Sequence, residues 1–142
     1  MSHNDLDELG VELEMQAVVL AAGAGTRLMP LTSMIPKALI PVANKPLLDY
    51  VINSLEQANI KEIIVVTGHL GNKVARYLES SRRYGRLNIE LIRARNYTAG
   101  PLYSLLASEK LVSDDFLVVA GDIIAKPQII SKLFNSHTKK ET

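Results

Sequence analysis

Residues 16–46 read QAVVLAAGAGTRLMPLTSMIPKALIPVANKP, and this stretch organises the chain. It opens with an apolar run, Ala17 to Ala22, closed by glycine. An unbroken apolar run of that length fits a strand buried on both faces. The run empties into Gly23-Ala24-Gly25-Thr26-Arg27. Two glycines let backbone turn sharply and approach a ligand without Cβ interference, leaving N–H groups to face an anion. Arg27 adds a planar, permanently charged fork suited to phosphate oxygens. Lys37 follows Pro36, so a second cation sits on a proline-stiffened loop. Strand, glycine turn, Arg and Pro-Lys together describe a triphosphate cradle.

Other phosphate loops fit less well. A dinucleotide fingerprint needs glycine at position 28, which holds Leu28, and the Gly-Lys-Ser/Thr of a P-loop is absent. On their own, Gly23 and Gly25 fit a tight strand-to-loop turn as well as a phosphate loop.

The rest of the chain alternates. Pro46 suits the first position of a helix; Leu47, Leu48, Val51, Ile52, Leu55 and Ala58 then recur at helical steps, and Asn59 is a stop signal. Glu62 to Thr67 reads as a second strand, with a helix from about Asn72 to Ser80 turning Val74, Tyr77 and Leu78 inward. Asn88 to Ala94 reads as a third strand. A helix follows from Pro101 to about Leu111, with Leu102, Leu105 and Leu106 on its buried face. Phe116 to Ala120 is the fourth strand, and Lys126 or Pro127 opens a last helix to about Phe134. No hairpin signal interrupts the alternation. The pattern predicts an α/β fold in three layers, helix–sheet–helix, with a mostly parallel sheet and right-handed crossovers. The expected divisions are an acidic mobile tail over 1–15, one domain over 16–137, and a charged end over 138–142.

Composition sets limits. The chain has 142 residues, enough for one domain with a real core, and no cysteine, which excludes disulfides and thiolate metal sites. A reducing cytoplasm is compatible and is the expected compartment. No apolar run reaches membrane-spanning length, and the N-terminus is acidic, unlike a secretory leader. The first fourteen residues hold Asp5, Asp7, Glu8, Glu12 and Glu14 and no Lys or Arg, so all 16 basic residues lie in the remainder. A basic body suits phosphate ligands. Aromatic residues are only 5% and no nucleic-acid-binding pattern occurs, so neither nucleic acid nor membrane is an expected partner. Arg82, Arg83 and Arg86 around Gly85 read as a solvated loop. His69 reads more readily as a hydrogen-bonding turn residue than as a ligand.

In an open parallel sheet, ligands gather at the carboxyl ends of the strands. Gly23 to Arg27 and Gly121-Asp122 both fall there. Asp122 fits a turn residue; beside a bound triphosphate it fits a Mg²⁺ ligand, because Mg²⁺ takes one or two carboxylates plus phosphate oxygens and water.

The strings LAAGAGTRLMPLT (20–32), PKALIPV (36–42) and KPLLDYVI (45–52) resemble the opening of the sugar-1-phosphate nucleotidylyltransferase family. Thr98-Ala99-Gly100-Pro101-Leu102, with Glu109-Lys110-Leu111, Asp115-Phe116 and Gly121-Asp122, is similar to GDP-mannose-forming members, so the likeness runs from about Gln16 to His137. It implies a Rossmann-like sheet of the nucleotidyltransferase type, here incomplete, and an enzyme that joins a nucleoside triphosphate to a sugar 1-phosphate with release of pyrophosphate. It implies Arg27 and Lys37 as catalytic cations and Asp122 as a Mg²⁺ ligand. Leu20, Ala21, Ala22, Gly23, Ala24, Gly25 and Thr26, with Gly100, would hold the nucleotide. The chain departs from the pattern at Tyr97, where the family has glycine, and at Arg95-Asn96, where it has Pro-Leu, which leaves the choice of nucleotide open. Tyr103-Ser104-Leu105 is similar to cytidylyltransferases for inositol phosphate or phosphocholine, although Pro101 stands where those carry asparagine. Other relatives are non-catalytic regulatory or assembly subunits; Arg27, Lys37 and Asp122 together favour an enzyme. Catalytic domains of the family are longer than 142 residues, so this is expected to be an N-terminal portion lacking much of the sugar pocket and a second metal-binding aspartate. Such a portion is expected to bind Mg·NTP with little turnover and to dimerise or aggregate through the uncovered edge of its fourth strand.

Overall fold

The computed structural model describes residues 15–113 and 115–140, with side chains through residue 136. Five of the six residues of β1 (Gln16–Ala21) are apolar, and Ala17, Val18 and Val19 have no exposed surface. Because side chains alternate across a strand, the run feeds two cores at once. Ala17 and Val19 enter one cluster with Leu48, Ile52, Leu55, Ile63 and Val65, while Val18 enters another with Ile64, Val66 and Ala94. The unbroken apolar pattern thus has the expected cause: helices cover both faces.

Four parallel strands make the sheet, in the order β5 (Asn88–Arg93), β4 (Glu62–Thr67), β1, β6 (Phe116–Ala120). Gln16 pairs with Glu62 and Phe116, and Glu62 with Asn88, so the strands start level. Ala21, Thr67, Arg93 and Ala120 therefore end along one edge. The side chain of Gln16 closes the opposite end, donating to Leu111 O at 3.1 Å and accepting from Ser113 N at 2.7 Å. β6 and β5 are the sheet's two edges among the described residues.

Helix α1 (Leu47–Gln57) buries Leu48, Val51, Ile52 and Leu55. Truncating one of these to alanine costs about 2–5 kcal/mol. Asn59, at φ 65°, follows its C-terminus, as its sequence signal suggests. Pro46 stands one residue before α1 and closes a two-stranded ribbon, β2 (Pro41–Val42) with β3 (Lys45–Pro46). That hairpin contradicts the hairpin-free reading. Its two-residue turn, Ala43-Asn44, has both residues at positive φ without a glycine, whereas the recognisable signature of such turns ends in glycine.

Helix α2 (Gly71–Ser80) buries Val74 and Leu78. It meets α1 through a buried carboxylate. Asp49, 3% exposed, accepts from Tyr77 Oη at 2.7 Å, from Arg83 Nη1 at 2.7 Å and from Tyr84 Oη. Arg83 therefore does not belong to a purely solvated loop. Burial, then the Asp49 bond, pushes the Tyr77 hydroxyl up to about 12, and the same causes raise Tyr84 further. These groups stabilise the fold while protonated. Their contribution is whole below the ordinary tyrosine value of 10 and is lost as pH rises through the folded value. Denaturation midpoints are expected to fall between pH 10 and 12, and by less in Tyr77→Phe; an equal fall in both proteins would remove Tyr77 from the linkage.

Helix α3 (Pro101–Leu106) is shorter than its sequence suggests. Ala107 to Leu111 continue as turns bonded three residues back. Its buried row is Ser104, Leu105 and Ser108, while Leu102 and Leu106 are 65% and 53% exposed, reversing the expected face for those two leucines. Fewer than two helical turns leave a narrow strip against the sheet, and serines occupy it. Helix α4 (Pro127–Lys140) runs past Phe134 and packs against α1, with Ile130 buried. Of the expected acidic tail, residues 1–14 lie outside the described residues; Met15 packs on the core. Of the expected charged end, 138–140 continue α4 as backbone, and 141–142 lie outside the described residues.

Candidate functional site

The site forms where β1 and β6 end side by side. A Cβ on Gly121 would lie 2.9 Å from Leu20 O and 3.2 Å from Ala21 Cβ, and Gly121 N donates to Leu20 O at 2.8 Å. Only glycine lets the exit of β6 press this closely on β1. Asp122 is thereby set beside the loop that leaves β1. Within that loop Gly25 adopts φ 63°, and a Cβ there would lie 2.7 Å from Thr32 Cγ2. Gly23 has open space around it. Among the described residues the backbone N–H groups of Gly23, Ala24, Gly25 and Thr26 meet no acceptor. Unpaired N–H groups on successive residues are what an anion needs.

Pro36, in extended geometry, starts a 3₁₀ turn over Lys37–Leu39, and the buried Ala38 fixes that turn to the core. Lys37 Nζ then lies 2.8 Å from Asp122 Oδ2, joining residues far apart in sequence. The Lys37 hydrogen bond, and secondarily its charge, hold the Asp122 carboxyl below the usual range against the opposing effect of burial. Both side chains are about two-fifths exposed. Such a pair contributes roughly 0–1 kcal/mol, so a ligand can separate it at little cost.

These groups share a cleft of about 270 Å³. One wall is Leu20, Ala21, Ala22, Gly23 and Gly25, another is Lys37 and Asp122, and Tyr97, Gly100, Pro101 and Ser104 close the far side. The Tyr97 ring leans over β4's end; its Cγ would stand 2.6 Å from a Cβ on Gly68. Of the nucleotide-holding candidates, Leu20, Ala21, Ala22, Gly23, Gly25 and Gly100 line the cleft, whereas Ala24 and Thr26 do not. Arg27 is exposed in a 3₁₀ turn beside the cleft and, among the described residues, makes no side-chain hydrogen bond or ion pair. His69 braces the loop, its Nε2 lying 2.6 Å from Thr32 O. Sequence reading passed over Tyr97 as a wall residue, and met Ser104 and Thr32 only inside family-like strings, with no role of their own in the site. Tyr97 was visible as a departure from a family pattern; a buried serine or threonine carries no signal of its own. A second hollow of about 320 Å³, between β6 and α4, is walled mainly by apolar side chains, with Asp115 but no Lys or Arg among the described lining residues.

Level parallel strands, a glycine turn of unpaired N–H groups, and a cation facing a carboxylate meet at this sheet edge, which makes it the candidate site for an anionic ligand. The chain belongs to the nucleotidyl transferase family, whose profile it matches over residues 16–142. It is 36% identical over 119 residues to the bifunctional protein GlmU of Methanococcus vannielii, covering 84% of this chain and 27% of that one. It is 36% identical over 126 residues to a putative mannose-1-phosphate guanyltransferase of Sulfolobus acidocaldarius, covering 89% and 34%. Among solved structures it is similar to an apo UDP-glucose pyrophosphorylase, with TM-score 0.80 and 21% identity over 91% of this chain and 56% of that one. A putative glucose-1-phosphate thymidylyltransferase of Bacillus anthracis gives TM-score 0.74 and 27% identity, covering 88% and 50%. The chain thus spans about a quarter to a third of these two curated relatives. Among the described residues no helix is long and apolar enough to cross a membrane.

Proposed function

We propose that this chain carries the nucleotide-binding half of a Mg²⁺-dependent sugar-1-phosphate nucleotidylyltransferase. The observation that carries the reading is the Lys37–Asp122 pair at 2.8 Å, lining the same cleft as Gly23 and Gly25 of the glycine turn, whose N–H groups are unpaired. The relatives named above as guanyl- and thymidylyltransferases point to the same reaction class.

A sugar-phosphate oxygen attacks the α-phosphorus of the triphosphate in line; the bond to the β-phosphate oxygen breaks, and pyrophosphate leaves. No covalent enzyme intermediate is needed, so catalysis is positioning and charge neutralisation. The glycine turn holds phosphate oxygens through backbone N–H groups. Lys37 leaves Asp122 for the α-phosphate and offsets the charge that gathers there. Arg27 reaches over the cleft's outer end to the departing pyrophosphate. Tyr97, Gly100 and Ser104, uncharged, line the part of the cleft left for base and ribose. Among the described residues no cluster of three or more metal-ligating side chains exists; Asp122 is the residue that would hold Mg²⁺, a cation that takes one or two carboxylates together with phosphate oxygens and water. Bound in that way, Mg²⁺ would offset phosphate charge and orient the reactants.

The activity test is pyrophosphate release at high protein concentration, with each nucleoside triphosphate and a panel of sugar 1-phosphates. Release, even slow, that requires both substrates is expected. Mg·NTP binding without sugar-phosphate-dependent release would mark a non-catalytic nucleotide module instead. Arg27→Ala is expected to leave the melting temperature unchanged, since among the described residues the side chain makes no hydrogen bond or ion pair, and to weaken NTP binding about 10-fold. Parent-like affinity would remove Arg27 from the cradle.

A further inference from the structure

We infer that Thr32 and His69 are positioning residues that set the phosphate affinity of the glycine turn without touching the ligand. This rests on the proposed reading of that turn as a triphosphate cradle.

Thr32 has no exposed surface, yet it sits in the middle of a surface loop. Its Oγ1 donates to Gly25 O at 2.7 Å, and Leu28 N donates to the same oxygen at 3.0 Å. Both lone pairs of the Gly25 carbonyl are therefore engaged, and the oxygen is turned into the loop. In a trans peptide the C=O and the following N–H point in opposite directions. Holding Gly25 O inward thus holds the Thr26 N–H outward, and keeps a carbonyl dipole from facing an incoming phosphate. The Thr32 methyl group fills the space where a Gly25 Cβ would stand, which reserves that position for glycine.

Thr32 is itself held from a different part of the fold. Its carbonyl lies 2.6 Å from His69 Nε2. A carbonyl only accepts, so that nitrogen carries the proton. His69 N donates to Ala22 O at 3.2 Å, tying the turn after β4 to the residue where the glycine loop begins. Two residues along from Thr32, Met34 O accepts from Lys73 Nζ of α2. The order of dependence is His69 to Thr32 to Gly25. Buried Ala38 and Pro36 also anchor the loop, and what the relay adds is the orientation of the Gly25–Thr26 peptide unit, beside the cleft wall that Gly25 helps to form.

The test uses the full chain, with inorganic tripolyphosphate plus Mg²⁺ as a probe of the cradle that is blind to the base, and with the tightest NTP alongside. Thr32→Val keeps the shape and removes the hydroxyl; Thr32→Ser keeps the hydroxyl. His69→Phe keeps a ring without a donor; His69→Gln keeps an N–H near the same place. Thr32→Val and His69→Phe are expected to bind both probes about 3- to 10-fold more weakly, with Thr32→Ser and His69→Gln close to the parent. The double variant Thr32→Val/His69→Phe is expected to lose little more than Thr32→Val, because the two act in series. Equal binding by the parent and a folded Thr32→Val would overturn the inference. So would a Ser variant as weak as the Val variant, or affinity losses that simply follow the melting temperatures. Failure of the parent to bind either tripolyphosphate or any NTP is a different result: it removes the cradle itself and the functional reading with it.

Discussion

Lys37→Ala is expected to weaken Mg·NTP binding about 10- to 100-fold, the effect of losing a charge-assisted contact of roughly 1.5–3 kcal/mol. Turnover should fall further, because a cation at the α-phosphate meets more charge in the transition state than in the ground state. Losing a donor of that kind costs about 100- to 1,000-fold. The fold should survive. Lys37 and Asp122 are about two-fifths exposed, and their pair contributes little to stability. Calorimetry and pyrophosphate release separate the two effects, with thermal melting as the control. Unchanged affinity in a folded Lys37→Ala would place the phosphates elsewhere.

Asp122→Asn should give a result that changes sign with the metal. Without Mg²⁺ the substitution removes a carboxylate from the proposed phosphate site and releases Lys37, so free NTP should bind more tightly. With Mg²⁺ the parent gains a cation bridge that asparagine supports poorly, so the variant should bind roughly 10-fold more weakly or worse. The Asp122 carboxyl is held below its usual range, so it is charged at neutral pH and the comparison needs no pH adjustment. Equal effects with and without Mg²⁺ would return Asp122 to the role of a turn residue.

Much of this was legible along the chain, in places for a local reason. The central strands could be read from Ala17 to Ala22 and Glu62 to Thr67 because both faces are covered, so nothing polar interrupts them. Gly25 could be read as a special position because the left-handed turn excludes other residues. What stayed hidden depends on partners that arrive from elsewhere. Asp49 lies in an apolar repeat and looks like a surface charge until Tyr77, Arg83 and Tyr84 fold onto it. The Ala43-Asn44 turn was missed because its left-handed residues are not glycine. The leucine pattern of α3 misled because the strip that meets the sheet carries Ser104 and Ser108. Lys37 and Asp122 were each visible as motif residues, but their contact spans the sheet edge and belongs to the fold. His69 could be read as a hydrogen-bonding turn residue, but its partner, Thr32 O, and the partner of Thr32, Gly25 O, are backbone carbonyls that leave no trace in sequence.

The most direct measurement is calorimetric titration of the 142-residue chain with GTP, CTP, UTP, dTTP and ATP, each with and without Mg²⁺, repeated on Lys37→Ala. At least one triphosphate should bind with an affinity that rises with Mg²⁺ and falls in the variant. Binding of none of the five, or binding indifferent to both Mg²⁺ and Lys37, would contradict the assignment of the cleft at the ends of β1 and β6 as a nucleotide site.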